Sequence, residues 1–193
     1  MGRPRVTVSR RLPTAVEDRL QRQFDTVLNP SDVPLSGGAL VEALESSDAL
    51  VSTLGDPISA ELLSRCRPRA TLIAHFGVGY DNIAVDAARE RGITVTNTPG
   101  VLTEDTADLA IALVLASARR MAEGDRELRA AAWTGWRPTH LLGTRVSGKV
   151  LGLVGFGRLG FGMQVVAWSR SLTDELAAAH GVRRIADLDA LLQ

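Results

Sequence analysis

The sequence predicts an α/β protein whose parallel sheets carry helices on both faces. Three observations predict it. Short β-rich runs alternate with helical patterns through the first hundred residues. Between one run and the next lies a stretch of helical pattern, the crossover that parallel neighbours need. A second apolar strand, at 149–154, then opens a further segment of the same kind after a glycine-rich turn.

The elements follow in order. "RVTVS" (5–9) reads as a strand, and the helical pattern over 14–24 opens with Thr14 and Glu17 at capping-box spacing. Strands are expected at 25–28, 48–51, 70–76 and 93–97, with helices at 37–46, 59–66 and 84–92 between them. "NTPG" (97–100) breaks this rhythm, since Pro and Gly stand together. Two domains follow from that break, 1–100 and 101–193.

From Val101 to about Met121 the chain is helical. Thr103 can cap the start, and Glu104, Asp105 and Asp108 favour the positive end of the helix dipole. The middle, "ADLAIALVLASA", is apolar almost all round, which predicts burial between layers or domains. Arg119 and Arg120 suit its last turn, and Gly124 is expected to divide it from a second helix, "DRELRAAAW". Strands at 149–154 and 164–168, a helix near 173–180, a brief "VRRI" and the helical "DLDALLQ" complete the pattern.

Composition narrows the function. Lys plus Arg number 22 and so do Asp plus Glu, and no basic run gathers that would meet a phosphate backbone or an anionic membrane. Arg3, Arg5, Arg10 and Arg11 read as solvated flanks of the first strand. No stretch approaches the roughly 18 apolar residues of a membrane span, and no apolar signal region follows the first arginines. The expectation is a cytoplasmic protein without nucleic-acid or membrane partners. One cysteine, Cys66, rules out an intrachain disulfide. Its neighbours Arg65 and Arg67 could lower the thiol pKa, although a partly buried, inert thiol is the simpler reading. His140 and His180 have no metal-ligand spacing, so no metal is expected. Trp133 and Trp136 in "WTGW" read as packing anchors.

Two motifs can carry chemistry. Gly155, Gly157 and Gly160 form G-x-G-x-x-G after an apolar strand. In a dinucleotide site the first glycine makes the turn, the second lets a pyrophosphate approach, and the third packs helix on strand. A glycine-rich turn without a ligand is the alternative. Where an acidic residue normally holds the adenosine ribose, this chain has Ser169 and Arg170, a hydroxyl and a cation suited to a ribose phosphate. That leans the cofactor toward NADP over NAD, unless Arg170 is simply a surface residue. The second motif is "HFGVGYDN" (75–82). Glycines around Val78 can leave successive N–H groups free to bind a small carboxylate at a strand's carboxyl end, or can serve only a tight loop. His75, with no sequence partner, reads as structural.

Taken together, "HFGVGYDNIAVDAARERGITVTNTPGVLTEDTADLAIALVLASARR", "WTGW" and "LLGTRVSGKVLGLVGFGRLG" resemble the D-2-hydroxyacid dehydrogenase family, nearest its glyoxylate and hydroxypyruvate reductases. The resemblance covers nearly the whole chain. It implies a flavodoxin-like substrate domain and a Rossmann cofactor domain around a cleft, with hydride passing between NAD(P)H and C2 of a small 2-oxo acid. It implies that backbone groups of Val78 and Gly79 hold the substrate carboxylate, and that Thr106 lies near the nicotinamide. Arg158 and Leu159 would touch the pyrophosphate with Gly155, Gly157 and Gly160, and Ser169 and Arg170 would meet the ribose. A homodimer formed through the cofactor domain is implied as well.

Two departures qualify the resemblance. The family's catalytic arginine, glutamate and histidine fall beyond Gln193, so this chain contains no catalytic residue and the Rossmann domain is incomplete. A non-catalytic binding fragment on the same scaffold is therefore the alternative function. Family members also carry roughly a dozen helical residues after the third glycine, whereas here Gly160 runs directly into Phe161. Residues 156–163 span a strand's length only if nearly straight, at about 3.3–3.6 Å per residue, and cannot also form a helix. The following strand is thus expected to sit poorly as a parallel neighbour. Either the chain is a shortened form that has lost function, or mobile residues are left out of it.

Overall fold

A computed structural model describes residues 2–155 and 164–192, which divide into two compact units, Met1–Val101 and Leu102–Gln193. Residues Gly157, Arg158, Leu159 and Gly160 lie outside the described residues.

In the first unit the elements run β1 (Arg5–Val8), α1 (Thr14–Gln23), β2 (Asp25–Val27), α2 (Gly37–Ser46), β3 (Ala49–Thr53), α3 (Ala60–Arg65), β4 (Leu72–Phe76), α4 (Val85–Glu90) and β5 (Thr94–Thr96). The five strands form one parallel sheet in the order β2-β1-β3-β4-β5, the flavodoxin-like arrangement. Alternation along each strand sorts its side chains between the faces. Leu50 and Ile73 point into a core completed by Leu40 and Leu44 of α2, Leu63 of α3, Ala88 of α4 and Ile58, and all seven are fully buried. Val6, Ala49, Val51, Leu72 and Ala74 point the other way, where they line a groove of about 780 Å³ beside Leu20 and Phe24. This second face is only partly covered.

Local chemistry sets the helix starts. Ser36 and Ser59 cap α2 and α3 by accepting from the N–H groups of Ala39 and Leu62. α1 departs from the capping box: Pro13 holds the cap position, Thr14 is already helical, and Glu17 Oε1 accepts from Leu12 N at 2.8 Å. At the amino edge of the sheet Asp48 accepts from Arg5 N at 2.7 Å and from Arg69 Nε at 3.0 Å. Those two contacts hold its carboxyl below the usual carboxylate range.

The second unit holds α5 (Thr103–Ala118), α6 (Met121–Arg129), β6 (Val150–Val154), β7 (Gln164–Trp168), α7 (Asp174–Ala179), β8 (Arg183–Arg184) and α8 (Leu188–Leu191). Three expectations fail here. Thr103 does not cap α5, because Leu102 occupies that position without a side-chain bond. The break between α5 and α6 falls at Arg120, which adopts φ 55° while its guanidinium grips Glu123, and Gly124 lies inside α6. Most telling, α5 has no buried residue; Leu109 and Leu113 are each 60% exposed.

β6, β7 and β8 pair in that order, all parallel, around a small core of Ala167, Leu172 and Ala177. The parallel register runs from Val150 opposite Gln164 to Val154 opposite Trp168, which corrects the expectation that β7 would sit poorly beside β6. The physical reason is reach. A five-residue strand is about 13 Å long, and the nine residues joining the two strands can extend about 30 Å. One face of β6 nevertheless stays open, with Val150 and Val154 60% and 62% exposed, where a sheet strand of a doubly wound fold is normally covered on both sides.

Candidate functional site

The first candidate site grows out of the carboxyl end of β4. The chain leaves Phe76 as Gly77, Val78, Gly79 and Tyr80, and each of the first three carbonyls is tied back to the protein. Gly77 O accepts from Thr98 N at 3.0 Å, Val78 O from Asn97 Nδ2 at 2.8 Å, and Gly79 O from His75 Nε2 at 2.8 Å. In a trans peptide the C=O and the next N–H point in opposite directions. Pinning these carbonyls therefore turns the N–H groups of Val78, Gly79 and Tyr80 away from the sheet, and none of the three donates to an acceptor among the described residues. Val78 and Tyr80 are 41% and 49% exposed, so the loop is open to a ligand. A cavity of about 220 Å³ lined by Tyr80, Val85, Val95, Thr96 and Asn97 adjoins it. Successive unpaired N–H groups on an exposed loop are the donors an anion-binding concavity uses.

A buried polar web supports the loop from below. Asp56 is fully buried, and its Oδ2 accepts from Ser9 Oγ at 2.5 Å and Thr53 N at 2.6 Å. Asn82 Nδ2 donates to Thr53 O at 3.1 Å and Asp56 O at 2.8 Å. The carboxyl ends of β1 and β3 are thus joined to the segment that follows the glycine loop. Asn82 and Asp56 carried no sequence signal of these roles, which depend on long-range partners. An Asn ending a strand before Thr-Pro-Gly was the one visible hint.

The second candidate site lies at the carboxyl edge of the other sheet. Gly155, the first motif glycine, takes φ 90°, a conformation that favours glycine, and its N–H donates to Trp168 O at 2.8 Å. Gly155 and the Ser169–Arg170 corner therefore sit at neighbouring strand ends, the place where open α/β sheets bind nucleotides. Ser169 Oγ accepts from Ser171 N at 3.4 Å, and Arg170 is exposed. Thr106, in the first turns of α5, is exposed and donates its hydroxyl to Leu102 O at 2.7 Å. Of the motif, the described residues show a left-handed glycine, Gly155, with the exposed Arg170 at the end of the neighbouring strand.

Other groups serve structure. Cys66 caps the end of α3 and is buried; burial pushes its thiol pKa up, with Glu45 adding to the effect, against the lowering expected from its arginine neighbours. His140 Nε2 pairs with Glu127 at 2.6 Å and anchors the loop that follows α6. Among the described residues no group of His, Cys, Asp or Glu could hold a metal ion, and no helix is long and apolar enough to cross a membrane.

Known proteins match this arrangement along nearly its whole length. The family model for the D-isomer specific 2-hydroxyacid dehydrogenase catalytic domain matches residues 6–191. A glyoxylate reductase of Korarchaeum cryptofilum is 40% identical over 201 residues, covering 99% of this chain and 60% of its own length. One from Thermococcus litoralis is 39% identical over 204 residues, covering 99% and 61%. These alignments are longer than this chain's 193 residues, so both relatives carry residues with no counterpart here. Among solved structures, the TT0316 protein of Thermus thermophilus superposes with a TM-score of 0.83 at 40% identity, covering 97% of this chain and 61% of that one. The 2-hydroxyacid dehydrogenase of Ketogulonicigenium vulgare Y25 gives 0.75 at 29% identity, covering 99% and 61%. This chain thus spans about three fifths of the length of the relatives it matches. With the family model running through both units, from the first strand of the flavodoxin-like sheet to the last helix, the chain belongs to the D-isomer specific 2-hydroxyacid dehydrogenase family.

Proposed function

We propose that this chain supplies the substrate-binding domain (1–100) and the first part of the nucleotide-binding domain (101–193) of an NAD(P)H-dependent reductase of small 2-oxo acids such as glyoxylate or hydroxypyruvate. The observation that carries the reading is the glycine loop, whose pinned carbonyls leave the Val78 and Gly79 N–H groups free for the acid's carboxylate. Relatives named glyoxylate reductase support the same substrate class. A bound nicotinamide would supply the hydride. This chain's own residues bind and orient: the loop holds the carboxylate end of the acid, the exposed Thr106 stands toward the nicotinamide, and Gly155 opens the turn for the pyrophosphate together with Gly157, Arg158, Leu159 and Gly160. By resemblance the proton donor and the orienting arginine lie beyond Gln193, so the chain by itself is expected to bind without turning over.

Ser169 and Arg170 favour NADPH, since an exposed guanidinium after β7 meets a ribose phosphate better than a bare ribose hydroxyl pair. The test is a titration of the chain with NADPH, NADH and oxamate, an unreactive mimic of a 2-oxo acid. We expect oxamate to shift the Val78 and Gly79 amide resonances. Arg170→Ala should weaken NADPH about tenfold, the loss of one charge-assisted contact, and leave NADH unchanged. Equal effects on both cofactors would remove the NADP assignment; an oxamate titration that moves neither amide would remove the substrate site.

A homodimer through the second unit also belongs to this reading. Leu109, Leu113, Trp133, Trp136 and Leu142 are all more than half exposed, the kind of large apolar side chain that a subunit interface covers. Light scattering should return twice the 20.6 kDa chain mass, and a monomer at micromolar concentration would sink the dimer. The reading sets the protein in the cytoplasm with its cofactor, which cell fractionation would check.

A further inference from the structure

We infer that His75 is a positioning residue for the carboxylate loop, turning the Gly79–Tyr80 peptide so that the Tyr80 N–H becomes a third donor beside those of Val78 and Gly79. The inference rests on the substrate site proposed above and extends it.

His75 is 2% exposed and lies at the end of β4, opposite Ser52 in the β3–β4 register. Its ring is held at both nitrogens. Nδ1 lies 3.0 Å from Ser52 Oγ, itself fully buried, and Nε2 lies 2.8 Å from Gly79 O. A carbonyl can only accept, so Nε2 carries a proton, and in the Nε2–H tautomer Nδ1 accepts from the Ser52 hydroxyl, which satisfies both contacts. The ring cannot rotate without breaking its buried contact to Ser52, and a buried polar group left unpaired costs about 1–3 kcal/mol.

That fixed ring sets the peptide plane it touches. With Gly79 O drawn inward to Nε2, the Tyr80 N–H on the other side of the same planar unit is turned outward. It has no acceptor among the described residues, and Tyr80 is half exposed. Gly77 gives independent testimony to how closely the ring supports the loop. A Cβ at Gly77 would come within 2.8 Å of His75 Nε2 and 3.2 Å of Cδ2, so only glycine lets the ring lie beneath the turn.

The experiment titrates oxamate into the 193-residue chain and into His75→Ala and His75→Gln, following backbone amides and the imidazole nitrogens by NMR. Glutamine can return a donor near the Nε2 position. We expect the wild-type ring as the Nε2–H tautomer and oxamate-induced shifts at Val78, Gly79 and Tyr80. His75→Ala should bind oxamate about tenfold more weakly and lose the Tyr80 shift while keeping its circular dichroism spectrum, and His75→Gln should recover most of the affinity. Unchanged affinity and an unchanged Tyr80 shift in His75→Ala would overturn the inference while leaving the carboxylate site standing. Failure of glutamine to restore binding would overturn it too. A wild-type chain in which none of the three amides responds would overturn both readings together.

Discussion

Leu50→Ala is expected to lower the stability of the first unit by about 2–5 kcal/mol, the usual cost of emptying a leucine-sized space in a close-packed core. Leu50 is fully buried on β3, a central strand with β1 on one side and β4 on the other. Its neighbours in the core come from α2, α3, α4 and β4, of which α2 and α3 have capped starts and β4 is held by ladder bonds, so little of the surroundings can collapse into the gap. The choice of probe matters. Trp133, Trp136 and Trp168 all lie in the second unit, so tryptophan fluorescence reports the wrong half of the chain. Far-ultraviolet circular dichroism during urea unfolding is the measurement, and the midpoint should fall with an unchanged slope. A shift of under about 0.5 kcal/mol, the range of an ordinary surface substitution, would mean that β3 is not central to the core.

Asp56→Ala is expected to be comparably damaging for a different reason. Its carboxylate accepts from the Ser9 hydroxyl and the Thr53 N–H, and both donors lose their partner when it is removed. Ser9 is fully buried, so water cannot easily replace the carboxylate there. Each buried donor left unpaired costs about 1–3 kcal/mol. Because the Ser9 hydroxyl is penalised only while it remains, Ser9→Ala in the Asp56→Ala background should cost less than Ser9→Ala alone. The double-mutant cycle made from urea midpoints reads that coupling, and strict additivity would show that the web carries no energy.

The web also bears on the function proposed above, since Asn82, held against Thr53 O and Asp56 O, follows the last residue of the glycine loop, Tyr80, almost at once. Loosening Asp56 removes the support of a loop whose orientation otherwise depends on Thr98, Asn97 and His75. The buried web and the glycine loop are therefore joined at the carboxyl edge of the first sheet.

Much of this molecule was legible in its residues. Periodicity, glycine and proline punctuation and strand-helix alternation fixed the α/β class and every strand of the first unit to within a few residues, because those signals are local and act within a turn or two of the chain. Gly155 was legible for the same reason, since it takes the left-handed angle its position demanded, whereas Gly77 and Gly79 have no positive φ and Gly77 is needed instead to clear the His75 ring. What the sequence could not decide were interactions between residues far apart in the chain, and the choice between competing local signals. Thr14 looked like a cap, yet Pro13 held the position; Gly124 looked like a helix breaker, yet the turn fell at Arg120 because Glu123 holds its guanidinium. α5 read as a buried helix from its apolar composition, but composition specifies the need for cover and not the cover itself, and its leucines stand open. The parallel pairing of β6 and β7 was open to the sequence, because nine residues reach well beyond a five-residue strand; taking the link to be nearly straight overstated the span it had to cover. His75 is the clearest case. Alone in the sequence it looked like packing; only the tertiary fold brings Ser52 and Gly79 to its two nitrogens, and hydrogen bonding at both ends of one ring is what turns a buried histidine into the support of a binding loop.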